Sequence, residues 1–329
     1  MNTTTPKIIV EVCQNHNGKR GILKDMIGRA ADAGADIIKG QIIFSEDLVP
    51  RERFENGEEL DNGVRKSIKR PYGPEFERLQ KLDLTPDDYA FFVEEVRRAG
   101  SIPMLTVFTR NRIPLARSLP WAGHSLIKVA SYDCASIPLL KELSSSFDEL
   151  IVSTGATFDT EIKEASTILA AAGLPYAMLH CVTSYPNTRT MAHLARIEWL
   201  RQFAPRVGWS DHSLVSRDGI VLSKIALACG ADYIERHFTI LGKDETKDGP
   251  VSITPELLAE LVVFAKLPIA ERIAEIDTTI PNWRETFGHT EREMSHTEML
   301  NRDYYRGRFA SRVGDTWINN WDDTHVPNI

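Results

Sequence analysis

Cysteine is scarce in this sequence, with only four among 329 residues. Cys13, Cys134, Cys181 and Cys229 lie far apart, so they show neither the paired spacing of a zinc site nor the density of a secreted disulfide scaffold. This pattern argues against a disulfide-stapled fold and favours a reducing, cytosolic compartment.

Long apolar runs and an excess of positive charge are also missing. No segment approaches the roughly 18 uninterrupted apolar residues of a membrane span, and Met1 to Lys7 is polar, without the apolar core of a secretion signal. The net charge of -7 argues against nucleic acid or an anionic membrane as the main partner. A locally basic pocket for a phosphorylated metabolite is still compatible with it. We therefore expect a cytoplasmic protein.

The sequence does contain a repeated alternation of short β-branched segments with amphipathic helical segments. Eight strands are predicted near 8–13, 36–43, 102–107, 125–129, 149–152, 176–179, 207–209 and 233–234. Helical spacing occurs at 22–33, 86–98, 113–118, 137–143, 159–172, 191–203, 215–228 and 255–264. Eight such units in about 260 residues predict an α/β fold, the closed (β/α)8 TIM barrel. The first turn also lacks the glycine-rich fingerprint of a dinucleotide-binding sheet.

Glycine positions mark the ends of predicted helices, and two long segments lie outside the alternation of strands and helices. Ala33-Gly34, Ala99-Gly100, Ala172-Gly173 and Cys229-Gly230 precede strands, where glycine allows the left-handed turn out of a helix. We expect the charged segment 45–70 to form a wall of the active site. We assign residues 1–267 to the barrel and 268–329 to a short C-terminal extension.

Polar residues gather at the ends of the predicted strands. Because TIM barrels build their active sites at the C-terminal ends of the strands, these residues should face one opening. In strand order they are Glu11, Gln14, Asn15, His16 and Asn17; Lys39 and Gln41; Thr106; Lys128 and Ser131; Ser153 and Thr154; His180, Thr183, Ser184 and Tyr185; Asp211 and His212; Glu235 and His237.

His212 and His237 each follow a short apolar strand. Two imidazoles at matching strand ends predict a metal site with open positions for water and a substrate oxygen. A divalent ion there could polarise a carbonyl group. The alternative is a buried histidine that makes only structural hydrogen bonds, and we prefer that interpretation for His16 and His180.

Two lysines and several hydroxyl groups predict an anion site at the same opening. Cations and hydroxyls suit a phosphate or a carboxylate, and the turn Ser153-Thr154-Gly155 adds backbone donors near a helix start. The set consists of Lys39, Lys128, Thr106, Ser131, Ser153 and Thr183. A lysine that is only solvated at the rim is the alternative.

Glu11 and Glu235 are candidates to orient hydroxyl groups or to move protons. Alternatively, they form structural ion pairs across the barrel mouth, with Arg236 or Lys128 as the partner. The residues alone leave both interpretations open.

Seven short segments resemble, in order and spacing, those of the sialic acid synthase family. They are 11–18 (EVCQNHNG), 38–41 (IKGQ), 128–131 (KVAS), 153–155 (STG), 180–186 (HCVTSYP), 210–212 (SDH) and 235–239 (ERHFT). The resemblance covers about residues 7 to 265.

This resemblance implies an activity and a set of roles. Members of the family are transferases that condense phosphoenolpyruvate with the aldehyde of an open-chain sugar, commonly N-acetylmannosamine or a relative. The products are phosphate and a 2-keto-3-deoxy sugar acid. They require a divalent metal, usually manganese, with magnesium or cobalt as alternatives, and a homodimer is implied. By motif, the metal would be bound by His212 and His237, phosphoenolpyruvate by Lys39, Thr106, Lys128, Ser131, Ser153 and Thr183, and the sugar by Glu11, Gln41, Tyr185 and Glu235.

Two features depart from that family. A Gly-Pro-Asp turn usually follows the last strand, but residues 247–252 read KDGPVS, so Asp248 or Asp244 would have to replace the aspartate that meets the sugar. The family also carries an antifreeze-like domain whose arginine reaches the partner's sugar site. About sixty residues follow the barrel, too few for that whole domain, and we expect a helical link plus a remnant of it. Arg306 or Arg308 would then act in trans.

Two other functions are compatible with these residues. A lysine at a barrel strand end suits a Schiff-base pyruvate aldolase, with Lys39 or Lys128 as the nucleophile. A barrel that has lost catalysis and only binds a sugar acid is the other alternative. Borohydride trapping with pyruvate and phosphate release from phosphoenolpyruvate distinguish the three functions.

Overall fold

The structure is a computed structural model and describes residues 5–327. Strands and helices alternate along most of the chain. The strands are β1 Lys7–Glu11, β2 Ile37–Ile42, β3 Glu58–Glu59, β4 Arg65–Ser67, β5 Ile102–Val107, β6 Leu126–Val129, β7 Glu149–Ser153, β8 Tyr176–Cys181, β9 Arg206–Asp211, β10 Tyr233–His237, β11 Ser311–Val313 and β12 Thr316–Ile318.

The helices include one after nearly every strand of this alternation. They are α1 Arg20–Asp32, α2 Arg53–Asn56, α3 Tyr72–Gln80, α4 Pro86–Arg98, α5 Ile113–Ser118, α6 Ile137–Ser144, α7 Asp159–Ala172, α8 Arg196–Leu200, α9 Val215–Asp218, α10 Val221–Ala228, α11 Pro255–Lys266, α12 Ile269–Thr279 and α13 His296–Tyr305. Among residues 5–327, no helix is both long and apolar enough to cross a membrane.

Eight of the strands close into a parallel barrel. Its order is β1-β10-β9-β8-β7-β6-β5-β2, and β1 pairs with β2 to complete the ring. Short strands rich in isoleucine, valine and leucine suit this position because helices cover their outer faces. The prediction of a TIM barrel is confirmed.

The interior of the barrel is filled by apolar side chains. Alternate residues of a strand point to opposite faces, so each strand sends its odd or its even positions inward. The buried interior cluster consists of Ile9, Ile37, Met104, Leu126, Ile151, Ala177, Leu179 and Tyr233. A larger cluster, which includes Ile8, Val10 and Ile38, packs between the strands and the helices. The barrel is therefore closed by side chains below its mouth.

Two predicted helices differ from the observed ones. The segment 191–203 is helical only over Arg196–Leu200, because the amides of Leu194 and Ala195 bond to carbonyls of the C-terminal extension. The segment 215–228 is divided into α9 and α10 at Gly219, whose φ of 54° interrupts the helix. Helix α3 was not predicted. The predicted glycine turns at 34, 100, 173 and 230 all have positive φ.

The segment 45–70 and the later part of the C-terminal extension lie together at the barrel mouth, whereas helix α12 of the extension packs against α10. Leu48 and Phe309 form an antiparallel bridge, and the Arg51 guanidinium donates to the carbonyls of Tyr304 and Arg306. Further along, the Asn320 side chain donates to the carbonyl of Phe108 at 2.8 Å. The extension therefore packs on its own barrel.

Close packing of β9 against its neighbour gives a stability prediction. A Cβ at Gly208 would lie 2.3 Å from the backbone oxygen of Tyr233, whereas a Cβ at Gly28 in α1 would meet nothing within 4 Å. Gly208→Ala should lower the free energy of unfolding by about 1–3 kcal/mol, and Gly28→Ala should leave it unchanged or raise it by up to about 1 kcal/mol. Thermal unfolding of both variants measures this, and equal melting temperatures would contradict it.

Candidate active site

The upper layer of the barrel interior is polar. Two residues beyond seven of the eight apolar interior positions, the same face of the strand carries a residue that lines the cavity described below, because side-chain direction repeats every second residue. Ile9 is followed by Glu11, and Tyr233 is followed by Glu235. The same relation holds for the pairs Ile37 and Lys39, Met104 and Thr106, Leu126 and Lys128, Ile151 and Ser153, and Leu179 and Cys181.

This layer opens into a cavity of about 380 Å³ at the C-terminal ends of the strands. All thirteen site residues that the sequence predicts line it. They are Glu11, Lys39, Gln41, Thr106, Lys128, Ser131, Ser153, Thr183, Tyr185, His212, Glu235, His237 and Asp248. Residues from all eight barrel strands or the loops after them therefore meet in one place.

Lys39 is buried between two carboxylates in the part of the cavity that is lined by Glu11, Lys39, Lys128 and Glu235, which we call the inner cavity. Its Nζ is 2.5 Å from Oε2 of Glu11 and 3.1 Å from Oε1 of Glu235. Burial opposes the charge on Lys39, but the two carboxylates outweigh it and raise the pKa of the ammonium above its usual range. Lys39 is thus a fixed cation and the main ion-pair partner of both carboxylates, whereas the sequence suggested Arg236 or Lys128. Arg236 pairs with Asp211 instead, and Lys128 lies 4.0 Å from Glu235.

The Lys128 ammonium has a lower pKa than that of Lys39, so it loses its proton more readily. Burial lowers its pKa to about 8, while Glu235, 4.0 Å away, acts in the opposite direction. The ammonium donates to the Ser153 hydroxyl at 2.6 Å and to the Val129 carbonyl at 3.1 Å. Within residues 5–327 the buried hydroxyls of Thr106 and Thr183 have no hydrogen-bond partner. Such donors beside a cation suit an oxyanion.

His212 and His237 face each other across the cavity, with ring centroids 5.3 Å apart. Burial, together with His237, lowers the pKa of His212 well below its usual range, so this ring is neutral. Nδ1 of each ring is buried and unpartnered in the described part of the chain. Ligand atoms of Cys13, His237 and Asp248 also lie within 4.8 Å of one another. This nitrogen, sulfur and oxygen donor set fits a borderline divalent cation.

Cys13 was not among the predicted site residues, and Asp248 was assigned to the sugar. Burial and the nearby Asp248 raise the pKa of the Cys13 thiol. The turn after β10 brings Asp248 next to His237. Asp244 is exposed and lies outside the cavity lining.

A buried ion pair fixes the strand ends that carry the two histidines. Asp211 precedes His212, Arg236 precedes His237, and the two charged groups meet at 2.7 Å with both side chains fully buried. Although burial opposes ionisation, Arg236 holds the pKa of Asp211 below its usual range. The hydroxyl of Ser223 also donates to Asp211. The pair therefore locks β9 to β10 just below the histidines.

Several residues at the mouth were not predicted as part of the site. Arg308, expected to act in trans, lines the cavity of its own chain. Arg70, Arg78, Lys247 and Tyr305 also line it. They come from loops and from the extension, and no strand periodicity identifies such positions. Arg306 instead faces Glu161 at 3.4 Å.

The remaining polar residues at the strand ends have structural contacts. The Asn15 amide donates to the Phe238 carbonyl at 2.8 Å, and a ring nitrogen of His16 accepts from the Gly18 amide at 3.0 Å. Nε2 of His180 lies 2.8 Å from the Ala192 carbonyl. Neither His16 nor His180 is among the residues that line this cavity.

The chain is similar to several known proteins along most of its length. Residues 26–268 match the model of the NeuB family. The N,N'-diacetyllegionaminic acid synthase of Legionella pneumophila is 30% identical over 264 residues, which cover 78% of this chain and 70% of that protein.

Two solved structures share the fold and cover 92% of this chain. One is the N-acetylneuraminic acid (sialic acid) synthetase of Leptospira borgpetersenii, with 28% identity, a TM-score of 0.67 and 91% of that chain covered. The other is the spore coat polysaccharide biosynthesis protein SpsE of Bacillus subtilis, with 26% identity, a TM-score of 0.69 and 78% of that chain covered.

The Asp211–Arg236 pair should be costly to break. Asp211→Ala leaves the Arg236 charge buried and uncompensated, which should lower the free energy of unfolding by about 3–5 kcal/mol. The exposed pair of Arg284 and Asp277 offers a matched control, because its charges stay hydrated. Denaturant unfolding of Asp211→Ala and Arg284→Ala should show a large loss only for the first, and similar small losses would contradict this role.

Proposed function

The chain belongs to the NeuB family, and from this premise we propose that it condenses phosphoenolpyruvate with the aldehyde of an open-chain sugar. The products would be phosphate and a 2-keto-3-deoxy sugar acid of the nonulosonic type. The observation that carries the proposal is one cavity in which two lysines and several hydroxyls lie opposite two buried histidines. Relatives named as legionaminic, pseudaminic and N-acetylneuraminate-9-phosphate synthases support it.

Phosphoenolpyruvate would occupy the inner cavity. Lys128 and the hydroxyls of Thr106, Ser153 and Thr183 would bind its phosphate or carboxylate, because these donors are buried and two of the hydroxyls have no other partner among residues 5–327. Lys39 would add a permanent positive charge. Holding both substrates in one cavity would also supply much of the rate acceleration.

A divalent metal would be held by His212 and His237, with Cys13 and Asp248 close enough to join them. When bound, it would supply Lewis acidity to the sugar carbonyl. Manganese is the cation that we propose for this site. The neutral His212 ring, kept so by burial, has a nitrogen lone pair available for the ion.

The reaction forms one carbon–carbon bond and replaces the C2–O bond to phosphate by a C2–O bond to the oxygen of water. C3 of phosphoenolpyruvate attacks the aldehyde carbon, and water adds its oxygen to C2 and gives up both protons, one to the aldehyde oxygen and one to the departing phosphate. Loss of phosphate from C2 then leaves the keto group. Burial opposes ionisation of Glu235, but Lys128 and Lys39 lower its pKa to about 2, so it acts as a hydrogen-bond acceptor that orients hydroxyl groups.

The same charges disfavour Lys39 as a Schiff-base nucleophile. An amine must lose its proton to attack a carbonyl, and the carboxylates of Glu11 and Glu235 keep the pKa of Lys39 high. Lys128 has the lower pKa but is held by Ser153 and Val129. Borohydride with pyruvate should therefore leave the protein unmodified.

We also propose a division of the chain. Residues 1–267 would be the synthase barrel and 268–329 the extension, of which the later part packs at the barrel mouth. The Leu48–Phe309 bridge and the Asn320 contact support this arrangement.

Phosphate release from phosphoenolpyruvate, with manganese and a panel of aldoses, tests the activity and the metal together. His212→Ala and His237→Ala should each lower turnover at least about a hundredfold, since even residues that only support a ligand can cost that much. Both substitutions should also weaken manganese binding, which is measured by the electron paramagnetic resonance signal of the free ion. His289→Ala, at an exposed position, is the control. Full metal-dependent turnover in both variants would overturn the assignment.

The lowered pKa of Lys128 predicts a pH dependence of phosphoenolpyruvate binding. Its charge is present below about pH 8 and is lost as the pH rises through that value. Affinity measured by calorimetry should therefore fall about tenfold between roughly pH 7.5 and 9.5, the loss of one charge-assisted contact. Lys128→Gln should bind weakly throughout this range without that fall. The same fall in the variant would show that another group titrates.

A further inference from the structure

The outer part of the cavity carries more positive charge than its surroundings neutralise. Four cations line it, Arg70, Arg78, Lys247 and Arg308, which we call the outer cation cluster. Three of them share the carboxylate of Glu75. Nε of Arg78 lies 2.9 Å from one Glu75 oxygen and Nζ of Lys247 lies 3.7 Å from the other, to which Arg308 also donates.

Glu75 cannot balance this cluster. Burial opposes its ionisation, but the Arg78 hydrogen bonds and the charge of Arg308 lower its pKa to about 2, so its single negative charge is fully present at neutral pH. The inner cavity is different, because Lys39 and Lys128 face the two carboxylates of Glu11 and Glu235. Outside, Asp248 is the only carboxylate among the other described residues that line the cavity, and Glu75 contacts three of the four cations. Uncompensated charge of this kind favours an anionic ligand.

Arg308 is built into the site. Its side chain is nine-tenths buried, and within the described residues its Nε has no hydrogen-bond partner. The guanidinium packs 4.7 Å from the ring centroid of Phe309. Its backbone carbonyl accepts from the Val49 amide at 3.0 Å, which ties the extension to the segment 45–70. A buried guanidinium that lines a cavity and has an N–H donor without a partner is suited to bind an oxyanion.

We propose that the outer cation cluster binds a negatively charged group of the acceptor sugar, either a phosphate ester or a carboxylate, at the end remote from the aldehyde. This inference rests on the proposed condensation. The aldehyde would point inward to the histidines and to phosphoenolpyruvate, and the anionic group would lie among Arg70, Lys247 and Arg308. The acceptor class would then be sugar phosphates or uronic acids, and not neutral aldoses.

A matched substrate panel tests the proposal. Phosphate release is measured with a neutral N-acetylhexosamine, its 6-phosphate and the corresponding uronic acid, at saturating phosphoenolpyruvate and manganese. At least one charged acceptor should exceed the neutral one about tenfold or more in kcat/KM, because each charge-assisted contact supplies roughly that factor. The charged acceptor that is preferred identifies the group. Equal or better turnover of the neutral sugar would overturn the inference.

Two variants at partly exposed members of the cluster reveal whether these cations are responsible. Lys247→Gln and Arg70→Gln should each raise KM for the preferred charged acceptor about tenfold. Lys243→Gln and Lys69→Gln remove exposed charges from the same two loops without lining the cavity, and they should leave KM unchanged. An unchanged KM in both cluster variants, or an equal rise in the controls, would overturn the inference.

Calorimetry with phosphoenolpyruvate alone separates this proposal from the one on which it rests. If the protein binds phosphoenolpyruvate and releases phosphate only with neutral sugars, the condensation stands and the anion site is wrong. If no sugar in the panel supports phosphate release, the proposed function fails, and the inference fails with it.

Discussion

The ion network of Lys39, Glu11 and Glu235 is the constraint on which the rest of the site depends. A buried ammonium costs several kcal/mol unless carboxylates and hydrogen bonds compensate it. Here the compensation comes from the adjacent strand β1 and from the next strand along the ring, β10, since Lys39 in β2 lies beside Glu11 in β1, which in turn lies beside β10 with Glu235. A shift of one residue in either register would turn a charge toward the helices. The network therefore holds three strands in the register that also brings His237 to the cavity.

The same network explains how charge is distributed along the cavity. The two inner lysines are balanced by two carboxylates, so the inner cavity has little net charge of its own. An anion there would gain from hydroxyl donors and from a cation at the histidines more than from net lysine charge. The outer cation cluster is not balanced in this way, because Glu75 is shared by three of its members. The two ends of the cavity thus suit different ligands.

The part of the site built on the strands and on the loops that directly follow them could largely be predicted from the sequence, and the part contributed by α3, by the segment before it and by the extension largely could not. Glu11, Lys39 and Lys128 follow apolar strand positions at a spacing of two, and the fold brings all such positions to one opening. Arg308 and Glu75 have no such pattern, because the extension and α3 reach the mouth through tertiary contacts. The helix predicted over 191–203 was too long for a related reason. Its first residues form hydrogen bonds with the extension, and the hydrophobic periodicity of the segment does not indicate such a contact.

The position of Arg308 links acceptor binding to the packing of the extension. Arg308 is held at the mouth by the bridge between Leu48 and Phe309 and by the bond from Val49, and it contributes buried positive charge to the cavity. Any ligand that binds only when the extension is packed must stabilise that packing by mass action. An anionic acceptor would therefore both neutralise the outer cation cluster and hold the extension over the mouth. With the acceptor in place, the inner cavity, where the carbon–carbon bond would form, would be closed to bulk solvent and would hold only the water that the reaction consumes.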